Sequence, residues 1–234
     1  MVTKYRPINW FKDFINLLYP TLCIGCDNAL FKGERFICLN CMSDLPRTNF
    51  HKIEGNSVEQ RFYGKIKVEH ATSFLYFEKK SMTQKMMHEI KYKGGKEFGR
   101  HLGRLFGADL RNSEMNEVDA ILPVPLHSKR LKDRGYNQSE WIAMGIAESM
   151  GKPIITDAVV REVATQTQTK KGVYERWQNV NGIFRVTDSQ KIEGKHILVI
   201  DDVITTGSTI EACAAALLSI TGVSVSVATL AVAE

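Results

Sequence analysis

The stretch ILVIDDVITTGST, residues 197–209, decides the fold. Ile197 to Ile200 form an apolar run of the length and composition of a buried strand. Two acids, Asp201 and Asp202, stand at its carboxyl end. A small, hydroxyl-rich turn, Thr205-Thr206-Gly207-Ser208-Thr209, then leads into a helical pattern. In open α/β sheets ligands bind beyond the carboxyl ends of the strands. A helix start behind a glycine turn offers free backbone N–H groups and the positive end of a dipole. The turn is therefore suited to a phosphate, and the acids to sugar hydroxyls or a hydrated Mg²⁺. A Walker A loop is excluded, because no G-x4-G-K-[ST] is present. Two adjacent carboxylates at a buried strand end repel one another, so an ordinary polar cap is the weaker reading.

Outward from this stretch, strands alternate with helices. ATSFLYF (71–77) reads as a strand. Ser81 and Gln84 form a capping box that opens a helix through Tyr92, with Met82, Met86, Met87 and Ile90 as its apolar stripe. Gly94-Gly95 breaks it, and a second helix runs from Lys96 to Arg111. Gly95, Gly99, Gly103 and Gly107 recur every fourth residue there, which predicts close backbone packing. AILPV, from Ala120, is a short strand. NQSEWIAMGIAESMG is a helix ending at Gly151. Residues 153–163 hold a further strand or two, and VSVSVATLAVA is the last strand. The alternation predicts a mostly parallel sheet covered on both faces.

Four of the five cysteines, Cys23, Cys26, Cys38 and Cys41, lie in the spacing C-x2-C-x11-C-x2-C. Two such knuckles let four thiolates converge on one Zn²⁺, and four thiolates leave no open position for catalysis. Gly25 and Gly33 supply turn freedom. Two disulfides are the alternative, and an iron–sulfur cluster a weaker one. Cys213, in an Ala-rich helix, reads as a small core residue. The amphipathic N-terminus, with Trp10, Phe11, Phe14, Ile15 and Leu18 on one helical face, lacks the features of a signal peptide. No segment is long and apolar enough to predict a membrane span. The expected location is the cytoplasm, where thiols stay reduced and zinc is favoured over disulfides.

The 234 residues, 44% hydrophobic and 24% charged, exclude a collagen-like or wholly disordered chain. The net charge of +5 is unevenly spread. Residues 1–118 carry 19 basic and 13 acidic side chains, and residues 119–234 carry 12 and 13. Lys79, Lys80, Lys85, Lys91, Lys93, Lys96, Arg100 and Arg104 crowd one stretch, with Tyr92 among them. Such a stretch has the chemistry to track a single-stranded nucleic acid and stack a base. A solvated helix face is the plainer alternative, or, for Lys91 and Lys93, a place beside the phosphate turn.

ILVIDDVITTGST resembles the signature of type I phosphoribosyltransferases, which bind 5-phosphoribosyl-1-pyrophosphate (PRPP). Taken with the cysteine head, KYKGG (91–95), PVPLHSKRLKDRGYNQSE (123–140) and TQTQTKKGVYERWQNVNGIF (165–184), nearly the whole chain is similar to the ComF family of competence-associated proteins. The resemblance implies an α/β, type I phosphoribosyltransferase-like fold: a mostly parallel sheet flanked by helices, with a small N-terminal zinc-binding module. Residues 1–50 would hold the N-terminal helix and zinc module, 51–70 a linker, and 71–234 the phosphoribosyltransferase-like domain.

By the same resemblance, Thr205, Thr206, Gly207, Ser208 and Thr209 would hold the 5′-phosphate. Asp201 and Asp202 would be the catalytic acids, on the ribose hydroxyls directly or through Mg²⁺. The turn Pro123-Val124-Pro125-Leu126, with Lys129, Arg130 and Arg134 beyond it, would face pyrophosphate. Residues 165–180 would form a closing loop bringing Lys170, Lys171 and Arg176. The implied activity is a Mg²⁺-dependent pentosyl transfer of the glycosyltransferase class, associated with DNA uptake, with no acceptor identified. The alternative is a non-catalytic PRPP- or nucleotide-sensing adaptor that contacts single-stranded DNA or a competence-machinery protein, helicase-like or DNA-processing.

Overall fold

The computed structural model describes residues 19–162 and 183–233. The predicted N-terminal helix and the predicted closing loop, with Lys170, Lys171 and Arg176, lie outside them. The chain divides into two compact units, residues 1–45 and 46–234.

In the first unit two antiparallel bridges, Leu22–Ala29 and Arg35–Ile37, precede a five-residue helix, α1 (Leu39–Ser43). Cys38 caps α1 by accepting the Cys41 N–H on its sulfur. Gly33 has φ of +101°, as its turn requires. The left-handed position in the first knuckle falls on Asp27 rather than Gly25; Gly25 instead donates its N–H to Cys23 Sγ at 3.4 Å.

In the second unit, β1 (Ala71–Phe77) is followed by α2 (Met82–Tyr92) and α3 (Lys96–Leu110). Ser81 caps α2, and the buried Met86, Met87 and Ile90 lie on its inner face. Then come β2 (Ala120–Pro123), a short helix α4 (Ser128–Arg134), α5 (Gln138–Met150) and a hairpin of β3 (Val159–Arg161) with β4 (Phe184–Val186). The chain closes with β5 (His196–Ile204), α6 (Ser208–Leu218) and β6 (Ser224–Ala233). α4 is not legible in the sequence; its seven residues, about two turns, hold too few apolar positions to show a period.

Among the described residues, four parallel strands in the order β1-β6-β5-β2 make the sheet, flanked by helices. Leu198, Val199, Ile200, Val225 and Val227 are fully buried within it, as expected of a parallel sheet covered on both faces. After β2 the chain moves outward, and Ile154 bridges to Ile121. β5 returns on the inner side of β2. The strand order therefore reverses between β2 and β5, which is where open α/β sheets hold their ligands.

β5 does not end at Ile200. Pairing with β2 stops at the Pro123–Ile200 register, while pairing with β6 continues to Ile204–Val232. Asp201 and Asp202 thus sit on a part of β5 that overhangs its β2 neighbour.

Residues 51–70, expected to be a linker, carry core instead. Val58 and Phe62 are buried, and Asn56 Nδ2 donates to the Ala71 carbonyl at 2.8 Å. Short 3₁₀ turns hide the apolar residues in a polar stretch with no helical or strand period. α3 and α5 pack backbone to backbone. A Cβ on Gly103 would lie 2.2 Å from the Ile142 carbonyl oxygen, and one on Gly145 2.1 Å from that of Arg100.

Candidate functional site

The site is assembled by five successive residues at the start of α5. Gly135 ends α4 in the left-handed region, at φ of +74°. Tyr136, buried, donates its hydroxyl to the Ile90 carbonyl of α2. Asn137 caps α5, accepting the Ser139 N–H at 3.1 Å, and gives its amide N–H to the Val124 carbonyl at 3.0 Å. It thereby joins the helix start to the turn after β2. Gln138 and Ser139 then reach the acids: Gln138 Nε2 lies 2.9 Å from Asp202 Oδ2, and Ser139 Oγ 2.9 Å from Asp201 Oδ1. Gln138 turns the donor end of its amide to this carboxylate oxygen.

Lys91, in the last turn of α2, completes the cluster with its Nζ 3.1 Å from Asp202 Oδ2. Asp201 and Asp202 further receive the backbone N–H groups of Asp202 and Val203 at 2.8 and 2.6 Å. Burial, and next the charge of Asp202, push the Asp201 carboxyl up to about 7, against the hydrogen bonds from Ser139 and the backbone and the charge of Lys91.

These groups line a polar cavity of about 260 Å³. Asp201, Asp202, Val203 and Thr209 come from β5 and α6, Lys91 from α2, and Gln138 and Ser139 from α5. Val124, Pro125, Leu126, Arg130 and Arg134 come from the turn and short helix after β2, and Arg161 from the end of β3. Pro123 is buried just behind as the last residue of β2. Thr205, Thr206, Gly207 and Ser208 form the adjoining turn; Thr205, Thr206 and Ser208 are exposed, and the Thr206 and Ser208 hydroxyls lie 3.0 Å apart. Gly207 has φ of +84°, and a Cβ added there would meet the Phe62 ring at 3.5 Å, so residues 51–70 bring a buried side chain beside the turn.

Lys93 and Lys129 do not reach the cavity wall: Lys93 pairs with Glu89 at 3.7 Å and Lys129 is exposed on α4. Gln138, Ser139 and Arg161 were missed as candidates. The run RGYNQSE shows an Asn-capped helix start, but nothing local to it shows that Gln138 and Ser139 face the acids. Arg161 lies alone in a strand, and its sequence context shows nothing.

The basic stretch around Tyr92 is largely spent within the fold. Arg100 and Arg104 both pair with Glu148 of α5, the latter at 2.6 Å, and Lys96 stands 5.0 Å from the Tyr136 ring centre. Arg134 lies over the exposed Tyr92 ring at 5.2 Å.

In the first unit, the sulfurs of Cys23, Cys26, Cys38 and Cys41 all lie within 4.8 Å of one another, and those of Cys26 and Cys38 are 3.8 Å apart. A tetrahedral thiolate site with Zn–S near 2.3 Å has sulfurs about 3.8 Å apart, so the four fit zinc. Burial raises the Cys23 thiol, but backbone N–H groups of Cys26, Cys38 and Gly25 outweigh it and bring it down to about 7. Burial and the neighbouring thiols raise Cys41. Cys213 is fully buried in α6, with its thiol pushed up to about 12, chiefly by burial.

A family model described as "Phosphoribosyl transferase domain" matches residues 137–233. "DNA utilization protein YhgH" of Escherichia coli O157:H7 is 30% identical over 201 residues, covering 84% of each chain. Its Salmonella typhimurium counterpart is 31% identical over 137 residues, 57% of this chain and 60% of that protein, so there the chain spans under two thirds of its relative. "Competence protein F" of Haemophilus influenzae is 28% identical over 196 residues, covering 81% of this chain and 80% of its own. Among solved structures, the allosteric regulatory enzyme of purine biosynthesis aligns over 61% of this chain and 30% of that one, with a TM-score of 0.43 and 21% identity.

Proposed function

The chain belongs to the ComF family, with a phosphoribosyltransferase-like domain behind a four-cysteine head, and we propose that it binds PRPP and transfers its phosphoribosyl group in DNA uptake. One observation carries this reading: Asp201, Asp202 and Thr209 line the same cavity as Arg130, Arg134 and Arg161. Acids for a sugar, a helix start for a phosphate and guanidinium groups for a second anion meet within one small volume. The names of the relatives, in competence and DNA utilization, support the association with DNA uptake.

In this reading the 5′-phosphate sits on the 205–209 turn, against the N–H groups at the start of α6. Asp201 and Asp202 accept from the ribose hydroxyls, with Ser139 and Gln138 fixing their carboxylates. Arg130, Arg134 and Arg161 face the pyrophosphate. A nucleophile then forms a bond to C1 of the ribose as the bond from C1 to the pyrophosphate oxygen breaks. The electron pair leaves with pyrophosphate. The protein positions the sugar and stabilises the departing charge, which asks little covalent chemistry of it. Mg²⁺ accompanying the pyrophosphate would supply further neutralisation of that charge, and the polar wall of the cavity is compatible with it.

The test is pyrophosphate release from Mg·PRPP, screened over nucleobases, nucleotides and single-stranded DNA. Release abolished by Asp202→Ala is the expected result. PRPP binding without release for any acceptor would make the chain a PRPP-sensing adaptor, and no PRPP binding at all would end both readings. The head is proposed to hold one structural zinc. Elemental analysis should find one zinc per chain, lost in Cys38→Ser; iron, or no metal, would refute it.

A further inference from the structure

We propose that Lys91 is the resident counter-ion of the acidic pair, holding at Asp202 the place that a divalent cation takes at an open pair of carboxylates. For its consequence at the sugar this rests on the phosphoribosyl reading; the electrostatic claim itself does not.

Three of the four carboxylate oxygens are already engaged. Asp202 Oδ2 receives both the Lys91 ammonium at 3.1 Å and the Gln138 amide at 2.9 Å. Asp202 Oδ1 receives the Val203 N–H at 2.6 Å. Asp201 Oδ1 receives the Ser139 hydroxyl and the Asp202 N–H, at 2.9 and 2.8 Å. Only Asp201 Oδ2 has no hydrogen bond among the described residues. Mg²⁺ demands a near-octahedral shell at about 2.0–2.1 Å and releases its waters reluctantly. To reach Asp202 it would have to evict a positive charge from a side chain only 10% exposed.

Lys91 is also held there. Its own side chain is 23% exposed, far below a free surface lysine. The residues on either side of it are fastened to the segment that supplies Gln138: Ile90 through the Tyr136 hydroxyl, and Tyr92 through the Arg134 guanidinium at 5.2 Å. Two elements that grip one another thus deliver an ammonium and an amide to the same oxygen. The position near the carboxyl end of an 11-residue helix further favours a cation. The acids can then accept from sugar hydroxyls with no metal bound to the protein, and any Mg²⁺ in the site travels on the ligand's phosphates.

The test uses Mn²⁺ as probe, with its free signal read by electron paramagnetic resonance on the full, zinc-loaded chain. The wild type should leave Mn²⁺ free. Lys91→Met, which keeps the apolar stem, should take up one Mn²⁺ per chain at least about tenfold more tightly, once the like charge is gone. Lys91→Arg should behave as wild type, and adding Asp202→Asn to Lys91→Met should abolish the uptake. Thermal melts check that each variant is folded. Equal uptake by wild type and Lys91→Met, or none by a folded Lys91→Met, overturns the proposal. Ribose 5-phosphate, titrated with EDTA or with Mg²⁺, tests the phosphoribosyl reading separately. Equal wild-type binding in both supports the counter-ion, and binding only with Mg²⁺ overturns it. No binding in either removes the sugar-phosphate reading, and the Mn²⁺ result then decides the counter-ion alone.

Discussion

The Tyr136 hydroxyl donates to the Ile90 carbonyl, so the end of α2 hangs on the residue that precedes the α5 cap. Tyr136→Phe removes one buried hydrogen bond and leaves a carbonyl without that partner. Stability should fall by about 1–2 kcal/mol, read as a lower urea midpoint at unchanged slope. Because Lys91 follows Ile90, ligand affinity should fall as well. A variant as stable as wild type would show that the contact carries no energy.

Gly207 has φ of +84°, and the nearest atoms to an added Cβ are those of the Phe62 and Ile204 side chains, at 3.5 Å and beyond. Space is therefore not the obstacle, but the backbone is. Gly207→Ala should cost about 1–2 kcal/mol and Gly207→Asn less, since Asn tolerates the left-handed region better. PRPP should raise the melting temperature of Gly207→Ala less than that of wild type. An equal ligand-induced shift in both would argue against a phosphate on this turn.

The glycines of the α3–α5 seam are not equivalent. A Cβ on Gly145 would meet the Arg100 carbonyl oxygen at 2.1 Å and the Arg104 nitrogen at 2.8 Å, both rigid backbone. Gly145→Ala should destabilise by about 3 kcal/mol, as overpacking does. A Cβ on Gly99 meets only side chains, at 3.5 Å and beyond, so Gly99→Ala should be neutral or stabilising by up to about 1 kcal/mol. Urea unfolding of both variants checks the contrast; similar losses would contradict it.

Asp201 holds its proton to about 7 in the fold, against an ordinary value of 3.8, with burial as the first cause. The unfolded chain gives that proton up first as pH rises. The contribution of Asp201 is therefore fully present below the unfolded value and is lost as pH climbs through the folded one. Asp201→Asn is neutral throughout, so its stability relative to wild type should grow from acid pH until about 7.5 and then level off. The subtraction cancels titrations common to both chains. A difference independent of pH would mean that Asp201 ionises normally.

The strand–turn–helix at 197–209, the cysteine head and the alternation of elements were readable because each is local. Composition and period report on neighbours along the chain. What escaped depends on sheet order. Gln138 meets Asp202 across 64 positions, and Ser139 meets Asp201 across 62. Hydropathy does not encode which strands adjoin. Lys91 stands out in the sequence, but its partner Asp202 does not follow from it. Lys93, two residues on, looks equivalent in the sequence, yet it pairs with Glu89 one turn back, because side chains two apart on a helical path point about 200° away from each other. The basic stretch read as one patch, although Arg100 and Arg104 find Glu148 on a helix that the sequence does not set beside them.

β5 outruns β2 by the four residues that carry the acids. The depth of the cavity is therefore a difference between two strand lengths, which no single side chain controls. Point substitutions can retune its charge while leaving its floor where it is. Lengthening β2 by two residues would extend the ladder alongside Asp201 and Asp202 and fill the ledge with backbone. Insertions and deletions within 120–126, rather than exchanges of residue type, are the changes that set how large a ligand this fold admits.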